Sequence, residues 1–163
     1  MVIGNGMIAK IFNSYQSGDG FIIFASGVSH SAHTDAKSSE REKQLLADVI
    51  RRSGERHLVY FGTCGVYDPS MRDSAYIKHK LKMEAYIQQH QAQYTIFRLS
   101  NPIGKTTNND TVVNFFIKHI LDQETFNVWK NASRNIIDID DMYLVCHEIL
   151  EKKMFTNSIV NIA

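Results

Sequence analysis

Short, unbroken apolar runs alternate along this chain with stretches of helical periodicity, and no other feature constrains the fold as strongly. The run Phe21-Ile22-Ile23-Phe24-Ala25 has no polar position between its apolar ones. A strand of that kind is apolar on both faces and needs cover on both. Strands are expected at Met1–Ile3, Phe21–Ala25, His57–Phe61, Tyr94–Leu99, near Phe126–Val128, at Asn135–Ile139 and at Ile159–Ile162. Helices are expected between them, from Met7 to about Tyr15, from Ser38 or Ser39 to Arg52, and at Ser74–Gln91, Val112–Leu121 and Met142–Lys152. Strands alternating with helices imply an α/β fold, a parallel sheet covered by helices.

Local chemistry supports several of these boundaries. Ser39 followed by Glu42 has the spacing of a capping box, and Leu45, Leu46, Val49 and Ile50 then share a face. Arg51 and Arg52 complement the dipole at that helix's end, and Gly54 can stop it. Ser17-Gly18-Asp19-Gly20 is a turn by composition, and Ser29–Lys37 and Lys105–Asp110 are polar loops. No repeat, low-complexity tract or linker interrupts the chain, so residues 1–163 form one domain.

Composition narrows the class. The 163 residues carry 18 Lys+Arg against 17 Asp+Glu, a net charge of +1, which argues against a protein built to grip a phosphate backbone. No apolar run approaches the roughly 18 residues of a membrane span, and MVIGNGMIAK lacks a signal peptide's apolar stretch. Cys64 and Cys146 form no CxxC and lie far apart, which reads as a reduced, cytoplasmic and metal-free protein. His30 and His33 stand three apart in a polar loop, a weak metal pattern.

Three constellations carry chemistry. Gly4-x-Gly6-x-x-Ala9 follows a strand and opens a helix, where glycines allow a tight turn and close approach of a pyrophosphate to the helix N-terminus. The same turn also serves as a simple packing device. Tyr76-x-x-x-Lys80 places a phenol and an ammonium on one helical face, with Thr63 upstream at a strand end. A nearby cation lowers a phenol's pKa and makes it a usable base, while the threonine hydroxyl can hold the oxygen being deprotonated. Asn101 follows the strand Tyr94–Leu99, and Arg134 precedes an apolar strand that ends in acids. Asn101 fits a ligand contact or a turn cap. Arg134 fits a diphosphate clasp or a surface ion pair.

In this order the segments resemble the extended short-chain dehydrogenase/reductase family, the NAD-dependent nucleotide-sugar epimerases and dehydratases. The matching pieces are GNGMIA (Gly4–Ala9), FIIFASGVS (Phe21–Ser29), LVYFGTCGVY (Leu58–Tyr67), YIKHK (Tyr76–Lys80), FRLSNPIG (Phe97–Gly104), RNIIDIDD (Arg134–Asp141) and VNIA (Val160–Ala163). The resemblance implies a Rossmann-like sheet with helices on both faces. It implies Thr63, Tyr76 and Lys80 as catalytic residues, with the lysine also on the nicotinamide ribose. It implies NAD or NADP contacts from Gly4, Asn5, Gly6, Met7, Ile8, Ala25, Ser26, Gly27, Tyr76 and Lys80. Cys64, Asn101 and Arg134 match positions near a nucleotide-sugar substrate. The activity implied is hydride and proton transfer at a sugar hydroxyl, leading to epimerisation, dehydration or reduction. The alternative is a catalytically weak or inactive relative that serves as a nucleotide-sugar or nicotinamide binding module or as a partner subunit. A homodimer through helices 39–52 and 74–91 is expected from the family's habit, with no nucleic-acid or membrane partner.

The chain also departs from that pattern. Between Gly6 and Phe21 there is room for one helix and a turn, so the strand with an acidic residue for the adenine ribose is missing, and Asp19 is a poor substitute. The family's asparagine in the next helix is replaced by Ser38, Ser39 or Glu40, and the chain stops at VNIA, ahead of a C-terminal substrate region. Joining the first strand directly to the Phe21 strand raises a topological problem, because about 98% of parallel crossovers are right-handed. The solutions are a left-handed crossover, a helix moved to the opposite face, or a first strand left as a bare sheet edge that pairs with another chain.

Overall fold

The computed structural model describes residues 1–28, 36–105 and 111–163. The expected loops around 29–35 and 106–110, with His30 and His33, lie outside the described residues. The strands are β1 (Val2–Ile3), β2 (Phe21–Phe24), β3 (His57–Thr63), β4 (Tyr94–Leu99), β5 (Asn101–Ile103), β6 (Ile136–Asp138) and β7 (Ser158–Ile162). The helices are α1 (Met7–Ile11), α2 (Ala36–Arg51), α3 (Ala75–His90), α4 (Val112–Leu121) and α5 (Ile139–Glu151). The main sheet runs β1-β2-β3-β4-β7, and β5 and β6 form a separate pair. Every pairing is parallel, so the carboxyl ends of β1, β2, β3 and β4 meet at one edge of the molecule.

The unbroken apolar runs fill two cores, one on each face. Ile23, Val59, Phe61, Phe97 and Leu99 pack with Phe12, Tyr15 and the α5 residues Met142, Cys146 and Ile149. Ile22, Phe24, Leu58, Tyr60 and Ile96 pack with Leu46 and Val49 of α2 and Met83 and Ile87 of α3. Side chains along a strand alternate between faces, so one apolar run feeds both cores. Each fully buried side chain of this size contributes roughly 1.5–3 kcal/mol.

The faces also settle the first crossover. The steps β1 to β2, β2 to β3 and β3 to β4 move the same way across the sheet. Helices α2 and α3 share one face, whereas α1 packs with α5 on the other. Crossovers that step the same way on opposite faces have opposite hands. With α2 and α3 in the ordinary right-handed sense, β1–α1–β2 is left-handed. It also leaves β1 as a sheet edge, but not a bare one, because Val2 N–H donates to Gln16 Oε1 at 2.8 Å. An edge closed in this way offers a poor template for another strand.

Several expectations need correction. Helix α1 ends at Ile11, and a 3-10 turn, Asn13–Tyr15, completes the expected span. Helix α2 begins at Ala36, so Ser39 lies inside it and the capping box does not form. Glu42 is instead fully buried and bonded to groups outside its own helix. No strand forms near Phe126–Val128, and α5 starts three residues early with Asp138 capping it. The α3 start is as expected, with Ser74 accepting from Ile77 N–H at 3.2 Å.

Candidate active site

The Gly4 turn, the end of β2, the end of β3 and the start of α3 converge at the carboxyl edge of the sheet. Gly4 has φ +128°, and a Cβ there would lie 2.4 Å from the Ala25 carbonyl oxygen. Only glycine permits both that backbone and that approach. A Cβ on Gly6 would meet nothing within 4 Å, so space ahead of α1 is open. Met7 and Ile8 are half-buried and pack against the α5 core. Beside β1 lies a groove of about 350 Å³, lined by Gly4, Asn5, Lys10, Asn13 and Gln16 among others. It flanks the edge strand, where the sequence lacks the family's acidic second strand, and Asp19 is not among its lining residues.

Thr63 closes β3, and its Oγ1 accepts from Gly65 N–H at 3.0 Å, which turns the chain into a 3-10 segment. Tyr76, in the first turn of α3, reaches the Thr63 side chain through a hydrogen bond. Burial pushes the Tyr76 phenol above its ordinary pKa, and the Thr63 bond opposes that rise. Thus the structure brings Thr63 and Tyr76 together.

Lys80, one helical turn on, is 2% exposed. Its ammonium donates to Glu42 Oε1 at 3.3 Å, to the Tyr60 hydroxyl at 3.2 Å and to the Phe61 carbonyl at 3.5 Å. An ammonium has three donors, and these acceptors use all three. Gly27 covers the site so closely that a Cβ on it would lie 2.6 Å from Lys80 Nζ. Glu42 also accepts from Val28 N–H at 2.6 Å, from the Tyr60 hydroxyl at 2.6 Å, and pairs with His79 Nε2 at 2.9 Å. Burial alone would raise the Glu42 pKa, but the His79 bond, the Lys80 charge and the Tyr60 and Val28 donors hold it at about 2. Burial likewise pulls the Lys80 ammonium down, and Glu42 opposes the pull.

The other expected site residues are spread over the same edge. Cys64 donates its thiol to the Arg98 carbonyl at 3.1 Å. Asn101 Nδ2 donates to the Asn135 carbonyl at 2.8 Å, so its side chain ties β5 to the segment before β6. Arg134 is exposed, and its Nη1 bonds the carbonyl of its neighbour Ser133 at 3.1 Å. Arg41 Nη2 donates to the Ser26 carbonyl at 3.1 Å and so anchors the loop after β2. Ser100 Oγ, just beyond β4, is a buried side-chain oxygen without a partner among the described residues.

Residues 6–163 match the family model described as the NAD dependent epimerase/dehydratase family. The chain belongs to that family. A search of curated proteins gave no match. Solved structures share its fold at low identity. RMD from Pseudomonas aeruginosa, complexed with NADPH, is 15% identical at a TM-score of 0.74, covering 99% of this chain and 76% of its own. DesIV, a dTDP-glucose 4,6-dehydratase from Streptomyces venezuelae with NAD bound, is 18% identical at 0.72, over 95% and 55%. A UDP-N-acetylglucosamine 4-epimerase from Methanobrevibacter ruminantium, in complex with UDP-N-acetylmuramic acid, is 17% identical at 0.69, over 88% and 55%. This epimerase/dehydratase-family chain therefore spans about half the length of the last two.

Sequence reasoning missed Glu42, Tyr60 and His79. A signal for Glu42 existed. It stands four and seven residues before Leu46 and Val49, in the buried stripe of α2. Lys80 likewise falls in line with Ile77, Met83 and Ile87 on α3. A charged residue in an apolar stripe announces a buried partner elsewhere.

Proposed function

We propose that this chain binds NAD or NADP and handles a proton at a sugar hydroxyl of a nucleotide-sugar, as an epimerase, dehydratase or reductase. The observation that carries the reading is the Thr63–Tyr76 hydrogen bond at the carboxyl end of β3, with Lys80 one helical turn farther along α3. The Gly4 turn and the open space at Gly6 fit a dinucleotide's phosphates, and Ala25, Ser26 and Gly27 would flank its nicotinamide half. When bound, that cofactor supplies the hydride acceptor and donor. The protein's own part is acid–base chemistry. Thr63 orients the sugar hydroxyl, Tyr76 takes or returns its proton, and Lys80 supplies the nearby positive charge. Cys64, Asn101 and Arg134 would border the nucleotide-sugar. Homodimerisation through α2 and α3 and a reducing, cytoplasmic setting complete this reading, the latter supported by the free thiols of Cys64 and Cys146.

Titration with NADH and NADPH, followed by nicotinamide fluorescence, tests binding, and absence of binding at millimolar cofactor would reject the reading. With cofactor and nucleotide-sugar present, Tyr76→Phe is expected to lose roughly 10²–10⁴-fold in turnover while keeping cofactor affinity.

A second reading has its own support. All three Lys80 donors are committed inside the protein, which favours a binding module with weak turnover. A thermal shift with nucleotide-sugars but no turnover in wild type would select it.

A further inference from the structure

Lys80 is surrounded by groups from three elements. Glu42 faces it from α2, and the Tyr60 hydroxyl and Phe61 carbonyl face it from β3. Along its own helix stand Tyr76, His79 and Glu84, and Glu84 is taken up by Arg98 of β4 through a two-point ion pair. Glu42, which also pairs with His79 Nε2 at 2.9 Å, is thus the carboxylate left to Lys80, and its side chain has no exposed surface. Its second oxygen holds Val28 N–H, so one carboxylate joins the ammonium to the loop after β2. Gly27, next to Val28, leaves the space that the ammonium occupies.

We propose that Glu42 is the counter-ion and positioning residue of Lys80, keeping it protonated and pinned beneath the Gly27–Val28 loop. The functional weight of this role rests on the reading of Tyr76 and Lys80 given above, but the ion pair itself does not. Isolated in so dry a place, a lysine loses its proton, because burial penalises the charged form. The Glu42 charge opposes that loss, and its hydrogen bond fixes where the ammonium sits. Burial and the Glu42 charge both work to keep the phenol protonated.

The test is an NMR measurement on the full chain labelled with 15N at the lysine side chains, with Lys80→Met assigning the signal. Wild type should show Lys80 Nζ as an ammonium at pH 7 with protected protons. Glu42→Gln should convert it to a neutral amine or speed its proton exchange at least tenfold, and Glu42→Asp should restore part of the protection. A neutral Lys80 in wild type, or a Lys80 signal unchanged in Glu42→Gln, overturns the proposal. Should Glu42→Gln fail to fold, the double variant Glu42→Gln with Lys80→Met is expected to fold, because it no longer buries an ammonium without its carboxylate. A double variant that also fails to fold overturns it. None of these readouts uses a cofactor, so absence of NAD(H) binding would defeat the proposed function and leave this result standing.

Discussion

Helices α3 and α4 invert what their composition suggests. Helix α3 carries Lys78, His79, Lys80, Lys82 and Glu84, yet it buries Ile77, His79, Lys80, Met83, Glu84 and Ile87. Helix α4 reads Val-Val-Asn-Phe-Phe-Ile-Lys-His-Ile-Leu and buries none of its residues, with Ile120 64% and Leu121 74% exposed. The difference lies in what each helix finds opposite it. Helix α3 lies on β3 and β4 and against α2, where every buried charge meets a partner. The rings of Phe115, Phe116 and Phe126 in the α4 region pack against one another and His119. Burial follows from neighbours, and polar side chains are admitted when they are paired.

Breaking a charge pair under α3 should therefore cost far more than altering α4. Glu42→Ala leaves Lys80 and His79 buried without a carboxylate and is expected to lose about 3–5 kcal/mol in urea unfolding. A loss below 1 kcal/mol would mean that water already reaches the cluster.

Acid probes the same pair without mutation. The folded Glu42 is held at about 2 against an ordinary 4.5, so the unfolded chain binds this proton more readily. The stabilisation is complete above about pH 4.5 and is lost as pH falls toward 2, by about 3 kcal/mol in all. Urea midpoints at pH 7, 4.5 and 3 should fall mainly below 4.5, and Glu42→Gln should flatten that limb.

Arg98→Met leaves Glu84 in a nearly closed site without its guanidinium and should cost about 1–3 kcal/mol. Tyr67, whose hydroxyl accepts from Arg98 at 2.9 Å, should lose order with it, readable as faster tyrosine ring exchange by NMR. At the small end, Ile120→Ser and Leu121→Ser on α4 should each shift stability by less than about 0.5 kcal/mol. A loss comparable to that of Glu42→Ala would show that α4 is covered in solution.

The legible part of the site was its motif residues. Tyr76 and Lys80 were readable because i and i+4 share a helical face, and Thr63 because an apolar strand runs into it. The role of Glu42 was misread, since Ser39 and Glu42 have capping-box spacing and a helix start cannot be fixed from spacing alone. Asn101 is expected just past the end of a strand, but it opens a further strand, β5, and its tie to the Asn135 carbonyl needs the β5–β6 pairing, which joins segments 34 residues apart.

The sequence by itself determined the layered α/β architecture, because strands apolar on both faces cannot be stable without cover on both. It also determined the tight Gly4 turn and the absence of a second strand before Phe21. Only the tertiary structure decided on which face α1 would lie, and so the left hand of the first crossover. That choice depends on Phe12 and Tyr15 finding the α5 core, a contact between ends of the chain. Only the tertiary structure decided where the Lys80 charge would rest. A salt bridge between residues 42 and 80 is set by packing two helices on one sheet face, and no local pattern encodes it.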